Sequence, residues 1–467
     1  MTNERVFGDM RAWLAHLAAT GRLAVVRDGV SLDFELAAIA KRLDGVKATF
    51  FPHPGGHAIP VVSGFMGKRA WIAEALGVEE SELLVHVRDA VDHPLPWREV
   101  PSAQAPVQQE MHEHADIRSL LPIPRHNEHD SAPYICAGLV VARNPKTGIQ
   151  NVSINRIQVN APDRMAMLIL PRHLHAFQRA AEAAGDALPI AIVIGASPAA
   201  LLASQAVLPI DHDELEVAGA LERRPLPVVK CQTSDVRVPA HAEIVIEGRV
   251  LPGVRELEGP FGEFPKYYSP QEKREVIAID RITHRHRPIY HTIVPAAMEH
   301  LLLGGIPREA TLLVPLKRSF PNVLDVHLAP GGVCRYHLYV QMRKTREGEP
   351  KNVILGAFGG HYDLKQVIVV DEDVDVHDPE QVEWAVATRF QPDRDLVVVS
   401  GAQGSILDPS TDRGIGAKWG LDATRPLAYE GLAFTKIRIP GEEDVDLARV
   451  VVDDAGALDA YLRTAGA

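Results

Sequence analysis

ICAGLVVAR (135–143), NVSINRIQVN (151–160), LPIAIVIG (188–195), AEIVIEGRV (242–250), VIAIDRI (276–282) and YHTIVP (290–295) follow one another between residues 134 and 300. These short β-branched runs, many of them separated by turn residues, predict an antiparallel sheet or barrel. One helix interrupts them at HLHAFQRAAEAAG (173–185), where Gly185 is placed as a C-cap. Towards the N-terminus, residues 7–19 and 32–43 carry helical apolar spacing on either side of the short run LAVV (23–26). WIAEALGV (71–78) continues that alternation, so this part reads as α/β. The Pro- and Gln-rich stretch from Pro94 to Gln109 reads as a linker or an extended crossover. Beyond 305, QVIVVDEDVDV (366–376) reads as a buried strand entering an acidic turn, PEQVEWAVATRF (379–390) as an amphipathic helix and DLVVVSG (395–401) as another buried strand. The chain is expected to end in a short helix. The fold class is therefore α+β or mixed α/β, in three parts: an N-terminal α/β region over 1–110, a β-rich centre over 111–300 and a C-terminal α/β region over 301–467.

At 467 residues the chain exceeds what one core usually supports, which agrees with several domains. The net charge of −12 argues against a general nucleic-acid binder, since no broad basic surface is available to neutralise phosphates. No apolar run reaches the ~20 residues of a membrane span. The opening MTNERVFGDMRAWLAHL is too charged for a signal peptide. Cys136, Cys231 and Cys334 are scattered and form no CxxC pair, so the expected home is a reducing cytoplasm.

Three segments of the centre hold the polar residues of interest. In Asn151-Val-Ser-Ile-Asn-Arg156, period two puts Asn151, Ser153 and Asn155 on one strand face. Arg156 points the other way unless the strand bulges or ends there. On physics alone this is an edge strand with a solvated face. Arg172-His173-Leu-His175 opens the interrupting helix, where a histidine serves as cap, packing residue, metal ligand or base. Glu214, in DHDELEVAGAL, stands in a first helical turn, which the helix dipole alone would explain. In Glu258-Gly-Pro-Phe-Gly-Glu263 two carboxylates flank a turn whose glycines permit close approach of a ligand. Paired carboxylates beside an arginine can separate in pKa. Two solvated glutamates on a surface turn are the plainer reading, though Phe261 and Pro260 between them fit it poorly.

Taken together and in order, these segments resemble the UbiD family, which includes ferulic acid and polyprenyl-hydroxybenzoate decarboxylases. Asn151 to Arg156 matches its Asn-x-x-x-x-Arg, His173 its helix-start histidine, and Glu214 in ELEVAGA its glutamate before a small-residue turn. VVKCQTSDVRVPAHAEIVIEG (228–248), EGPFGE (258–263), LKQVIVVDEDVDVHD (364–378), WAVATRF (384–390) and GIGAKWGLDAT (414–424) resemble further family blocks. The resemblance implies a split β-barrel over 111–300 that binds prenylated FMN, and a dimerising C-terminal domain. It implies that Asn151, His173 and Glu214 hold Mn2+ or Mg2+ at the cofactor phosphate, with a possible K+ nearby. Ser153, Ile154, Arg156, Arg172 and Lys365 would also line the cofactor. Arg156, Glu258 and Glu263 would form the acid–base set, with Glu263 the proton donor. A flavin prenyltransferase would supply the cofactor, since the chain holds nothing like a prenyl-transfer domain. The implied assembly is a homodimer or larger homo-oligomer.

The implied activity is decarboxylation of an unsaturated or aromatic acid. Within AAMEHLLLGGIPREA (296–310), His300 and Arg308 either close the two ends of a plain helix or face the substrate. The second reading favours a small aromatic or heteroaromatic acid of the furan, pyrrole or indole type, and fits a dicarboxylate. Acrylic, cinnamic or polyprenyl-hydroxybenzoic acids are the alternative, and a flavin-binding protein without decarboxylation is more distant. His112, His114, His126 and His129 read as a solvated loop, and HRHRP (284–288) as a strand-end turn.

Overall fold

Nine strands form the central sheet, and every neighbouring pair is antiparallel. Their order is Tyr134–Ile135, Ile157–Ala161, Arg164–Met167, Glu272–His284, Ile244–Glu258, Leu188–Ile194, Leu139–Arg143 and Gln150–Ile154. The ninth, Glu110–Glu113, pairs off this path with the end of Glu272–His284. Gln150–Ile154 ends the order and Ile157–Ala161 stands one place from the other end. Only Asn155 and Arg156 join the two. Laid flat, six strand spacings would part them by roughly 30 Å, whereas two linking residues reach roughly 10 Å. The sheet must therefore curl, and Arg156 sits at the seam. No pair closes the ring among the described residues, so the sheet is a split barrel.

Side-chain alternation puts both faces of this sheet in a core. Ile190, Ile192 and Ile194 join a cluster with Leu174 and Phe177 of the helix His173–Ala184, which ends at Gly185 (φ 80°) as expected. Ala191 and Val193 face the larger cluster that contains Val141 and Val152.

This computed structural model describes residues 6–452 and 455–465. Helix Met10–Ala19 is capped by Asp9, which accepts the Ala12 N–H at 2.8 Å. The N-terminal sheet, Leu23–Val25, Ala48–Phe51, Val61–Ser63 and Tyr290–His291, takes its last strand from beyond the barrel. Helix Met298–Ser319 follows, buried on most sides and containing Pro307 and Pro315. The C-terminal sheet runs Val323–Leu328, His337–Met342, Gln366–Asp371, Ile415–Ala423, Leu396–Gln403. Residues from Arg425 on form a separate unit, with short helices at Leu447–Val450 and Ala455–Ala465. Among the described residues no helix is long and apolar enough to cross a membrane.

Two local expectations fail. DLVVVSG is not a buried strand. It belongs to Leu396–Gln403, the last strand of its sheet, which among the described residues pairs only with Ile415–Ala423, and its Leu396 and Val398 are exposed. The histidines near residue 120 do not all lie in a solvated loop. His112 is on the ninth barrel strand, and His126 is buried with its ring against the Thr292 hydroxyl at 2.9 Å.

Candidate active site

The strand carrying Asn151 stops at Ile154, which frees Arg156 to turn into the barrel. Its guanidinium donates to both oxygens of Glu258, Nε to Oε1 at 2.9 Å and Nη2 to Oε2 at 2.9 Å, a bidentate pair. Its Nη1 donates to Glu263, and it lies 5.2 Å from the centroid of Phe261. All three charged side chains are almost wholly excluded from solvent. Burial alone would lower the Arg156 pKa, but the charges of Glu263 and Glu258 more than offset that. Burial raises the Glu263 carboxyl, and Arg156 only partly opposes it. The site thus holds a carboxylate gripped by arginine next to a carboxyl biased towards its proton.

The turn between the acids is set by its glycines. Gly259 has φ +87°, and a Cβ there would stand 2.7 Å from the Pro270 carbonyl oxygen. Its N–H donates to Gln158 Oε1 at 2.9 Å, while the Tyr134 hydroxyl lies 2.7 Å from Gln158 Oε1 and 3.2 Å from Glu258 Oε1. Asp130 accepts the Gly262 N–H at 2.8 Å. These supports carried no signal in the sequence, because each comes from a different strand or loop.

Asn151 is buried, and its Nδ2 has no hydrogen-bond partner among the described residues. Glu214 is the first residue of helix Glu214–Leu221, whose N-cap Asp213 accepts the Leu215 N–H. Its Oε2 accepts the Val152 N–H at 2.6 Å, next along the strand from Asn151. Burial pushes the Glu214 carboxyl well above its usual range, and nearby Asp213 adds to the rise. The helix dipole alone does not explain a glutamate buried this way. Burial and the charge of Arg172 lower the His173 pKa, and nearby Asp211 only partly opposes them. The Asn151 amide, whose nitrogen is not held by a partner among the described residues and so leaves its oxygen free to turn to a cation, joins a buried Glu214 held by N–H groups and the His173 imidazole as a donor set that suits a divalent cation. Among the described residues no group of three His, Cys, Asp or Glu side chains could hold a metal, and this set has two of them plus an amide.

The other expected residues divide. Ser153 Oγ accepts from Asn155 Nδ2 at 2.9 Å, and Ile154 is half-buried beside it. Arg172 donates to the Tyr362 hydroxyl at 2.9 Å. Lys365 holds Asp408 at 2.8 Å and also donates to Ser410. The plain-helix reading holds for His300, which stands in the first turn of Met298–Ser319 and whose Nδ1 accepts the Ala296 N–H at 3.1 Å, but fails for Arg308, which lies in mid-helix. Burial and Arg335 drive His300 down to about 3. Burial, with the charges of Arg335 and Arg172, pushes Arg308 well below its ordinary value. Arg308 Nε donates to His361 Nε2 at 3.1 Å. Arg335, which sequence reasoning missed, is buried, and that burial lowers it to about 10. Its guanidinium lies 5.5 Å from the Phe264 ring, and His300 meets the same ring edge-on at 6.4 Å. Phe264 directly follows Glu263, so this cationic group borders the acid. Buried Asp363 offsets part of the repulsion between Arg308 and Arg335, and a further anion would offset more.

Three family models match in succession. They describe the N-terminal, Rift-related and C-terminal domains of 3-octaprenyl-4-hydroxybenzoate carboxy-lyase, known as UbiD, over residues 14–91, 98–298 and 301–423. The chain is 42% identical over 412 residues to an anhydromevalonate phosphate decarboxylase of Methanothermobacter thermautotrophicus, covering 86% of this chain and 94% of that one. It resembles the UbiD-class enzyme HmfF of Pelotomaculum thermopropionicum, solved with FMN, at TM-score 0.93 and 49% identity, covering 95% of this chain and 100% of that one. It also resembles a 3,4-dihydroxybenzoic acid decarboxylase of Enterobacter cloacae, at TM-score 0.89 and 31% identity, covering 97% and 100%.

Proposed function

This chain belongs to the UbiD family of decarboxylases, and on that premise we propose that it reversibly removes CO2 from a small aromatic or heteroaromatic acid carrying a second anionic group. The observation that carries the reading is the buried Arg156, shared between Glu258 and Glu263 with the His300–Arg308–Arg335 group across Phe264. The guanidinium of Arg156 receives the scissile carboxylate, and Glu258 fixes its plane. Glu263 donates its proton to the ring carbon that loses CO2. Arg308 and Arg335 take the second anionic group and set the distance between the two ends of the substrate.

A side chain cannot hold the electron pair left when the C–C bond breaks; prenylated FMN supplies that sink when bound. Solved relatives carrying FMN and prenylated FMN support this cofactor. Asn151, His173 and Glu214 would hold Mn2+ or Mg2+ at its phosphate, with K+ nearby. Ser153, Ile154, Arg172 and Lys365 would line it, Lys365 after leaving Asp408. A flavin prenyltransferase supplies it, and the chain works as a homodimer or larger homo-oligomer in the cytoplasm. The domain limits proposed are 1–110, 111–300 and 301–467, with the last part dimerising.

A second reading is an unsaturated acid bearing a phosphate, supported by the anhydromevalonate phosphate decarboxylases among the relatives. The buried cations suit either anion. CO2 release from a panel of furan, pyrrole and indole mono- and diacids, cinnamate, 3,4-dihydroxybenzoate and anhydromevalonate phosphate tests both readings. A preference for heteroaromatic diacids supports the first. Preference for the phosphate ester supports the second, and preference for cinnamate overturns both without touching the family assignment.

A further inference from the structure

His112 and His284 lie far from the acid–base group. Glu258 pairs with Glu272 at one end of the strand Glu272–His284, and His284 closes the other end, roughly 40 Å of strand away. There the strand Glu110–Glu113 pairs alongside, with Glu110 opposite His284 and His112 opposite Ile282. His112 and His284 are thus diagonal neighbours on one face. Their Nε2 atoms stand 2.8 Å apart, and the rings are stacked at 22° with centroids 4.9 Å apart.

From this geometry we propose that His112 and His284 form a second metal site, one that takes a late first-row divalent cation such as Ni2+ or Cu2+. Two nitrogens each 2.0–2.1 Å from a metal lie roughly 2.9 Å apart in cis square-planar or octahedral positions, and roughly 3.4 Å apart in a tetrahedron. The observed 2.8 Å is the length of a hydrogen bond between the rings and lies close to the first geometry, so a tetrahedral ion would need the rings to part further than a square-planar or octahedral one. The far nitrogen of His284 supplies a second, independent observation. Its Nδ1 lies 2.7 Å from the Arg285 carbonyl oxygen, so Nδ1 carries the proton and Nε2 presents a lone pair. Metal-bound histidines are held in this way.

Without metal, the His112 Nε2–H donates to that lone pair. Metal binding moves this proton to His112 Nδ1 or to solvent and replaces one hydrogen bond with two coordinate bonds. The pair lies in the wall of a cleft of about 900 Å3 lined also by Gly55, His57, Glu110, Ser119, His286 and Arg287. Glu110 and His286 are already paired, at 2.7 Å. The remaining coordination positions therefore face the cleft and are open to water or a small exogenous ligand.

The test is calorimetric titration of tag-free, metal-stripped full-length protein with Ni2+. Wild type should bind one equivalent more than His112→Gln or His284→Gln, while Glu214→Ala, altered at the other candidate metal set, should keep that equivalent. Both histidine variants should retain decarboxylase turnover. Equal Ni2+ stoichiometry in wild type and both histidine variants overturns the proposal. A second readout needs no variant. In wild type, diethyl pyrocarbonate labelling of His112 and His284, read by mass spectrometry, should fall at least tenfold when Ni2+ is present. Labelling that Ni2+ leaves unchanged overturns the proposal equally.

Discussion

Glu263 and Glu258 are chemically the same residue placed in two environments five residues apart. Glu258 has both oxygens on one guanidinium, whereas Glu263 shares a single nitrogen of it and is biased by burial towards its protonated form. Glu263→Gln preserves size and removes the acid. It should keep the cofactor while turnover falls roughly 10²–10⁴-fold, as measured by CO2 release against flavin absorbance. Near-normal turnover would rule Glu263 out as the donor. The raised pKa also fixes a sign. The working form is protonated, so kcat should fall as pH rises through a value above the ordinary carboxylate of about 4.3. A rate that climbs over that range would contradict the assignment. Glu214→Ala should instead lose divalent metal and cofactor together, read by metal analysis and flavin content of the purified protein.

At the scale of elements, the helix Met298–Ser319 links substrate binding to stability. On one side, Gly304 leaves room for Arg335, since a Cβ there would stand 1.6 Å from its Nη2. The obstructing atom is the end of a flexible side chain, so Gly304→Ala should fold. By displacing Arg335 it should reduce the preference for diacid over monoacid tenfold or more, measured as a ratio of kcat/KM. On the other side, Glu309 accepts from Arg69 and from the Leu328 N–H at 2.7 Å, tying three regions of the chain together. Burial would raise its pKa, but Arg69 and His327 bring it down to about 2. Its contribution to stability is therefore complete above the unfolded value of about 4.3 and is lost as pH falls from there through about 2. Glu309→Gln leaves the buried Arg69 with only the longer Glu80 contact at 3.9 Å and should cost roughly 3 kcal/mol in denaturant unfolding. A change under 1 kcal/mol would show that the pair contributes little.

For the whole molecule, cofactor supply is the first test. Protein made without a flavin prenyltransferase should be inactive or carry ordinary FMN, and full activity in such a host would overturn this. Much of the molecule is determined by its sequence. Short β-branched runs required a sheet and Gly185 ended its helix, while the acids of EGPFGE and Arg156 stood out through the family resemblance, since by its residues alone the Asn151–Arg156 segment reads as a solvated edge strand. These signals are local, because they depend on backbone geometry within a few residues or on residues adjacent in the chain. What the sequence could not carry is how distant segments meet. That the barrel curls until Arg156 reaches two acids a hundred residues on follows from strand order, not from any run of residues. Arg335 and His361 looked ordinary because their importance lies in being buried beside Arg308. DLVVVSG reads like a core strand, yet it is exposed because it ends its sheet. His112 and His284 came from segments dismissed as a loop and a turn, and only strand register set their nitrogens 2.8 Å apart. Burial and long-range pairing decide pKa values and donor sets, and both are properties of the packed chain.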